Sequence, residues 1–117
     1  VVVADTAEFG SLGDARRPIW TADLSGDGRT DVLFYAPDTQ HWWRGASEGT
    51  RLQWSVVLNT TKYGEVVHGH VTCVADFTGD GMADVLSYSP SERTWSLGSS
   101  RPEDGLLLWR PIVSTLP

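Results

Sequence analysis

The sequence predicts an all-β fold, and three observations carry that prediction. The first is an internal repeat: residues 22–33 read ADLSGDGRTDVL and residues 75–86 read ADFTGDGMADVL, an offset of 53. Self-similarity at such a period is the mark of a repeat architecture. The second is composition, with 12 Gly and 6 Trp against 1 Met, a turn-rich and aromatic chain unlike a helical bundle. The third is patterning. Short β-branched and aromatic runs are bounded by Gly, Pro, Asp and Ser, and no stretch carries the i, i+3, i+4, i+7 apolar spacing of a helix.

The repeat extends beyond its core. Tyr35-Ala36-Pro37 answers Tyr88-Ser89-Pro90, Trp42 answers Trp95 and Gly45 answers Gly98. At an offset of 55, Leu52-Gln53-Trp54 answers Leu107-Leu108-Trp109; at 54, residues 2–10 answer residues 56–64. One-residue drifts are small indels in loops. The chain therefore divides into a partial repeat over 1–10 (the last strand of a unit), a first full unit over 11–64 and a second over 65–117.

Each unit reads as four strands. The first runs over Pro18–Leu24 and Val71–Phe77. The second, Thr30–Ala36 and Ala83–Ser89, follows at once and is stopped by proline. The third, Gln40–Arg44 and Thr94–Leu97, is expected to end at the Gly that follows. The fourth is Leu52–Leu58 and Leu106–Val113, the latter with a proline typical of an edge strand. Four antiparallel strands in about 54 residues is the size of one β-propeller blade. Propellers close with roughly four to eight blades, so two blades leave two flanking faces open. The expectation is a ring completed by oligomerisation, three chains for six blades or four for eight, or by the rest of a longer chain.

Between the first and second strand of each unit lies an acidic turn. Asp23, Ser25, Asp27 and Asp31 fall at positions 1, 3, 5 and 9 of the first; Asp76, Thr78, Asp80 and Asp84 fall there in the second. Gly28 and Gly81 sit at position 6, where a sharp turn needs positive φ. Ca²⁺ takes six to eight oxygens at about 2.3–2.6 Å, and alternate residues of a tight loop can supply them. The carbonyls of Arg29 and Met82 would add a ligand each. One Asp-Gly hairpin turn would mean little; two copies of D-x-[ST]-G-D-G-x-x-D at matching points predict two Ca²⁺ sites. An EF-hand would need an acid at position 12 and a helix behind it, but Phe34 and Ser87 stand there.

The segment (A)D-[LF]-[ST]-G-D-G-x-[TA]-D-V-L resembles the FG-GAP/VCBS repeats of integrin-α-type β-propellers. The resemblance covers both full units. It implies a calcium loop between the first two strands of each blade, with Asp23, Ser25, Asp27, the Arg29 carbonyl and Asp31 as ligands in the first and Asp76, Thr78, Asp80, the Met82 carbonyl and Asp84 in the second. Ser25 and Thr78, where Asp or Asn is frequent, remove one charge and imply weaker binding. Trp42-Trp43 followed by Gly also resembles repeats in secreted bacterial proteins, often attached to hydrolases.

Net charge is −6, a poor balance for binding nucleic acid or anionic membranes, and no apolar run is long enough to span a membrane. Two bound Ca²⁺ would reduce the −6 to −2, so the acidity is largely local. The single cysteine, Cys73, excludes an intrachain disulfide and replaces Trp20 in a strand, where a buried small hydrophobe is expected. The paired tryptophans Trp42/Trp95 and Trp54/Trp109 suit blade-to-blade packing. The rival role is a sugar platform. Trp43 has no aromatic counterpart (Ser96), and His41, Trp42, Trp43 and Arg44, with Trp95, form a candidate ligand site. His68 and His70 share one strand face on an i, i+2 reading and could hold a metal, but the first unit has no second copy of the pair.

No nucleophile, phosphate-loop or zinc-protease motif is present, and the carboxylates concentrate in the two loops. The chain reads as non-catalytic: a calcium-binding extracellular propeller module, lectin- or adhesion-like, that binds glycans or proteins. The alternative is a structural propeller segment of a larger secreted hydrolase or toxin. Loops of this charge suit the calcium concentrations outside cells.

Overall fold

A computed structural model describes residues 18–48 and 50–114. The partial repeat at 1–10 lies outside them. Eight strands appear in chain order: β1 (Ile19–Ala22), β2 (Asp31–Ala36), β3 (His41–Ser47), β4 (Leu52–Asn59), β5 (Val71–Ala75), β6 (Asp84–Ser89), β7 (Thr94–Ser100) and β8 (Leu107–Ser114). They form two antiparallel four-stranded sheets, β1-β2-β3-β4 and β5-β6-β7-β8. These are the two blades, and no α-helix occurs among the described residues. The one element not expected is a 3₁₀ turn at Thr61–Tyr63 in the connection between blades.

The third strands run past their glycines. Trp54 lies across Gly45 and Trp109 across Gly98; a methyl group on Gly45 would come within 2.8 Å of the Trp54 ring, and one on Gly98 within 3.1 Å of the Trp109 ring. Each glycine is therefore a seat for a tryptophan on the neighbouring strand, not a strand stop. Both third strands also carry a register shift, after Trp42 and after Trp95, which re-aims the side chains that follow. The turns between second and third strands are alike as well: Gln40 N–H donates to Ala36 O (2.8 Å) and Arg93 N–H to Ser89 O (2.7 Å), with Gln40 and Arg93 both at positive φ. β8, with its proline, pairs only with β7 and is the expected edge.

Residues paired across the ladder share a face, which sorts the side chains. Trp20, Leu33, Tyr35 and Trp42 point from the first blade to the second; Val85 and Trp109 point back. Trp42 is fully buried, stacks on Trp20 (5.6 Å) and lies 6.0 Å from Trp109. Its Nε1–H donates to Thr60 Oγ1 at 3.2 Å, which satisfies the one polar atom that burial would strand. The equivalent side chains of the second blade, Cys73, Leu86, Tyr88 and Trp95, form a face that no described element covers. Cys73 is exposed, which corrects the expectation of burial: Trp20 is covered by the second blade, and Cys73 has no blade in front of it. On the far side of the first blade, Phe34 lies against Trp43 (6.2 Å, near-parallel) and Trp54 (5.5 Å, edge-on).

Candidate metal centre

The two acidic loops sit side by side at one end of the blades. Ala83 N–H donates to Asp23 O at 2.7 Å, and the Met82 side chain packs against Gly26. Both glycines of each loop take positive φ, between 79° and 86°. The first aspartate of each loop is its organiser. Asp23 accepts N–H bonds from Ser25, Gly26 and Gly28, and Asp76 from Gly79, Asp80 and Gly81. The backbone N–H of Gly81, then those of Gly79 and Asp80, hold the Asp76 carboxyl below the usual range. At Asp23 desolvation is the largest single influence and acts upward, but the N–H groups of Gly28, Gly26, Ser25 and Asp27 together outweigh it and the carboxyl is lowered too.

The last aspartate of each loop is fully buried. Asp31 accepts from Leu24 N–H (3.1 Å) and Ser47 N–H (2.9 Å). Asp84 accepts from Phe77 N–H, Thr78 N–H, Thr78 Oγ1–H and Ser100 N–H. Ser47 and Ser100 thus anchor the loop to the end of the third strand, and each hydroxyl donates to the carbonyl before its aspartate, Thr30 or Ala83. Sequence reasoning missed these serines, although they match at the offset of 53.

The loops differ in charge. Carboxylate oxygens of Asp76, Asp80 and Asp84 lie within 4.8 Å of one another, the one such acidic group among the described residues. Three carboxylates and the Thr78 hydroxyl are an all-oxygen donor set that fits a hard cation. In the first loop Arg44 Nε stands 3.5 Å from Asp31 Oδ2, with the guanidinium mostly buried. The second unit has Leu97 at that position. Asp31 is thus compensated by a side chain, and Asp84 is not.

The candidate ligand set His41, Trp42, Trp43, Arg44 and Trp95 is not one site. Trp42 is sealed between the blades and offers no face to a sugar. Arg44 is committed to Asp31. Trp43 and His41 point away from the second blade, and Trp95 lies tilted against Tyr88 (4.7 Å) on the face of the second sheet that no described element covers. Alternation along the strand separates them. His68 and His70 lie in the turn before β5, not on a strand face: His68 Nδ1 faces Glu65 (3.4 Å) and His70 Nδ1 faces Ser87 Oγ (3.2 Å).

No curated protein matches the chain. Among solved structures it is similar to an Agrocybe aegerita lectin that specifically recognises non-reducing terminal N-acetylglucosamine, with 25% identity and a TM-score of 0.70. The similarity covers 86% of this chain and 25% of that one, so the chain spans a quarter of the lectin's length. The family model for the FG-GAP-like repeat matches residues 23–87, more than half of the chain, from the first aspartate of the first loop into β6. With two matching loops at two matching points of two blades, the chain belongs to the FG-GAP-like repeat family.

Proposed function

We propose that the chain is a calcium-stabilised, non-catalytic module of an extracellular β-propeller that binds glycans. The observation that carries the reading is the likeness to a sugar-binding lectin over 86% of the chain. The acidic group of the second loop supports the calcium component. Calcium would offset two of the three carboxylate charges and tie β5 to β6; Asp76, Thr78, Asp80, Asp84 and the Met82 carbonyl would hold it. Asp23, Ser25, Asp27, Asp31 and the Arg29 carbonyl form the second and weaker site. Ring closure draws on further blades, from copies of the chain in a trimer or tetramer or from a longer polypeptide.

Immobilised N-acetylglucosamine tests the reading: retention of the calcium-loaded protein, released by free sugar, is expected. No retention on this or any other glycan of a broad array would overturn it. A second reading, a structural propeller segment of a larger secreted hydrolase or toxin, draws on the quarter-length coverage of the lectin. It would stand if the array stayed blank while calcium still raised the melting temperature.

A further inference from the structure

A cleft of about 200 Å³ opens at the end of the second blade opposite the acidic loops. We propose that it binds one neutral pyranose ring, the terminal residue of an uncharged glycan. This inference rests on the glycan-binding reading and names the site within it.

The cleft exists because the repeat is broken there. Its wall on β6 and β7 is made by Ser87 and Ser96. The first blade carries Phe34 and Trp43 at these positions, and those two rings stack and fill the same face. Two serines in place of two rings leave room, and the connection between the blades roofs it with Tyr63 and Glu65. The volume is below the roughly 300–1,000 Å³ of sites for drug-sized ligands, and suits a single ring.

The lining has the chemistry of a polyol site. Tyr63 supplies an aromatic ring; it is 39% exposed, its hydroxyl is held by the Trp109 carbonyl at 3.3 Å, and Lys62 Nζ covers one face at 5.2 Å, which leaves the other for a sugar. The electron-rich face of such a ring attracts polarised C–H groups. Trp109 forms the apolar floor. Glu65 is fully used by Tyr35, Val67 and His68. By contrast, the Ser96 hydroxyl and the Glu92 carboxylate have no partner among the described residues, so both are open to sugar hydroxyls. Two carboxylates and no Lys or Arg line the cleft, which disfavours acidic sugars and phosphates.

The test uses the full chain, loaded with calcium, on neoglycoprotein surfaces bearing N-acetylglucosamine, galactose, mannose or N-acetylneuraminic acid. Ser96→Trp restores the first blade's residue and fills the cleft. It should weaken binding to the preferred neutral sugar by about tenfold or more, with an unchanged melting temperature. Glu92→Gln should weaken it by roughly three- to tenfold. Arg51→Ala, at the exposed turn between the third and fourth strands of the first blade, should leave it unchanged. If Ser96→Trp does not fold, Tyr63→Ala replaces it, with the same loss expected. Full binding by the cleft variants, or preference for N-acetylneuraminic acid, would overturn the site and leave the glycan reading standing. No binding of the unaltered chain to any glycan would overturn both.

Discussion

Arg44 decides how alike the two acidic loops are. Its guanidinium lies against Asp31 in a mostly buried setting, so the first loop carries its own counter-charge. Arg44→Leu, which copies the second repeat, leaves Asp31 buried without that partner. In chelator the variant should lose about 1–3 kcal/mol of stability. In calcium the loss should shrink, because the ion takes over the neutralisation. Titration calorimetry should show one tighter site in the unaltered protein, lost in Asp80→Ala, and a strengthened first site in Arg44→Leu. An unchanged first site would show that Arg44 does not compete with the ion. The first aspartates add a pH dependence. The carboxyls of Asp76 and Asp23 are held below the ordinary value of about 3.9 in the folded chain. A lowered folded-state pKa stabilises above the unfolded value and is lost as pH falls through the folded one. The melting temperature should be flat above about pH 5 and drop below about pH 4. A protein that holds its full melting temperature at the acid end would show that these bonds contribute nothing.

The third and fourth strands act together. Gly45 under Trp54 and Gly98 under Trp109 make the same joint twice. Without a Cβ on the glycine, the ring can lie close against the strand, and Trp109 meets Trp42 of the first blade from there. Gly45→Ala places a methyl inside the Trp54 ring contact, and overpacking of this kind costs about 1–3 kcal/mol. Denaturant unfolding should show that loss. An Ala variant as stable as the parent would mean that the ring moves aside freely. The same joint explains why these strands do not stop at glycine, where turn chemistry alone would end them. The serines at the strand ends, Ser47 and Ser100, give the strand its true finish by bonding the buried aspartates.

Across the whole molecule the loops and the blades are coupled. The loops touch through Ala83 N–H and Asp23 O and through Met82 on Gly26, at the seam where the sheets meet. Calcium that binds only the folded state should raise the melting temperature, and chelation should lower it by several degrees. A melting curve indifferent to EDTA would remove calcium from the structural account. The two faces that no described strand covers matter at the same scale. Ile19, Val56, Val71 and Leu108 are 37–54% exposed, on surfaces equivalent to the buried seam. Apolar faces of this kind mark interaction surfaces. Light scattering should find a particle larger than the 12.8 kDa chain. A stable monomer would exclude ring closure between copies.

The eight strands, their order and the acidic loops were legible in the sequence because each rests on local chemistry. Alternation, a proline stop and a glycine at positive φ need no distant partner, and a duplicated pattern repeats them. The face a side chain meets was less legible. Trp42 and Trp43 are neighbours in sequence, yet one seals the seam between blades and the other stacks on Phe34 on the far side. Trp20 and Cys73 hold the same place in the repeat but differ in cover, because only one has a blade before it. The compensation of Asp31 by Arg44, and the cleft left by Ser87 and Ser96, depend on which strands lie side by side. The sequence by itself determined the repeat, the strands and the ligand chemistry of the loops. Tertiary structure alone decided which tryptophans are core, which loop has a buried guanidinium against its last aspartate and where a cleft opens, since burial and pairing are properties of neighbours brought together by packing.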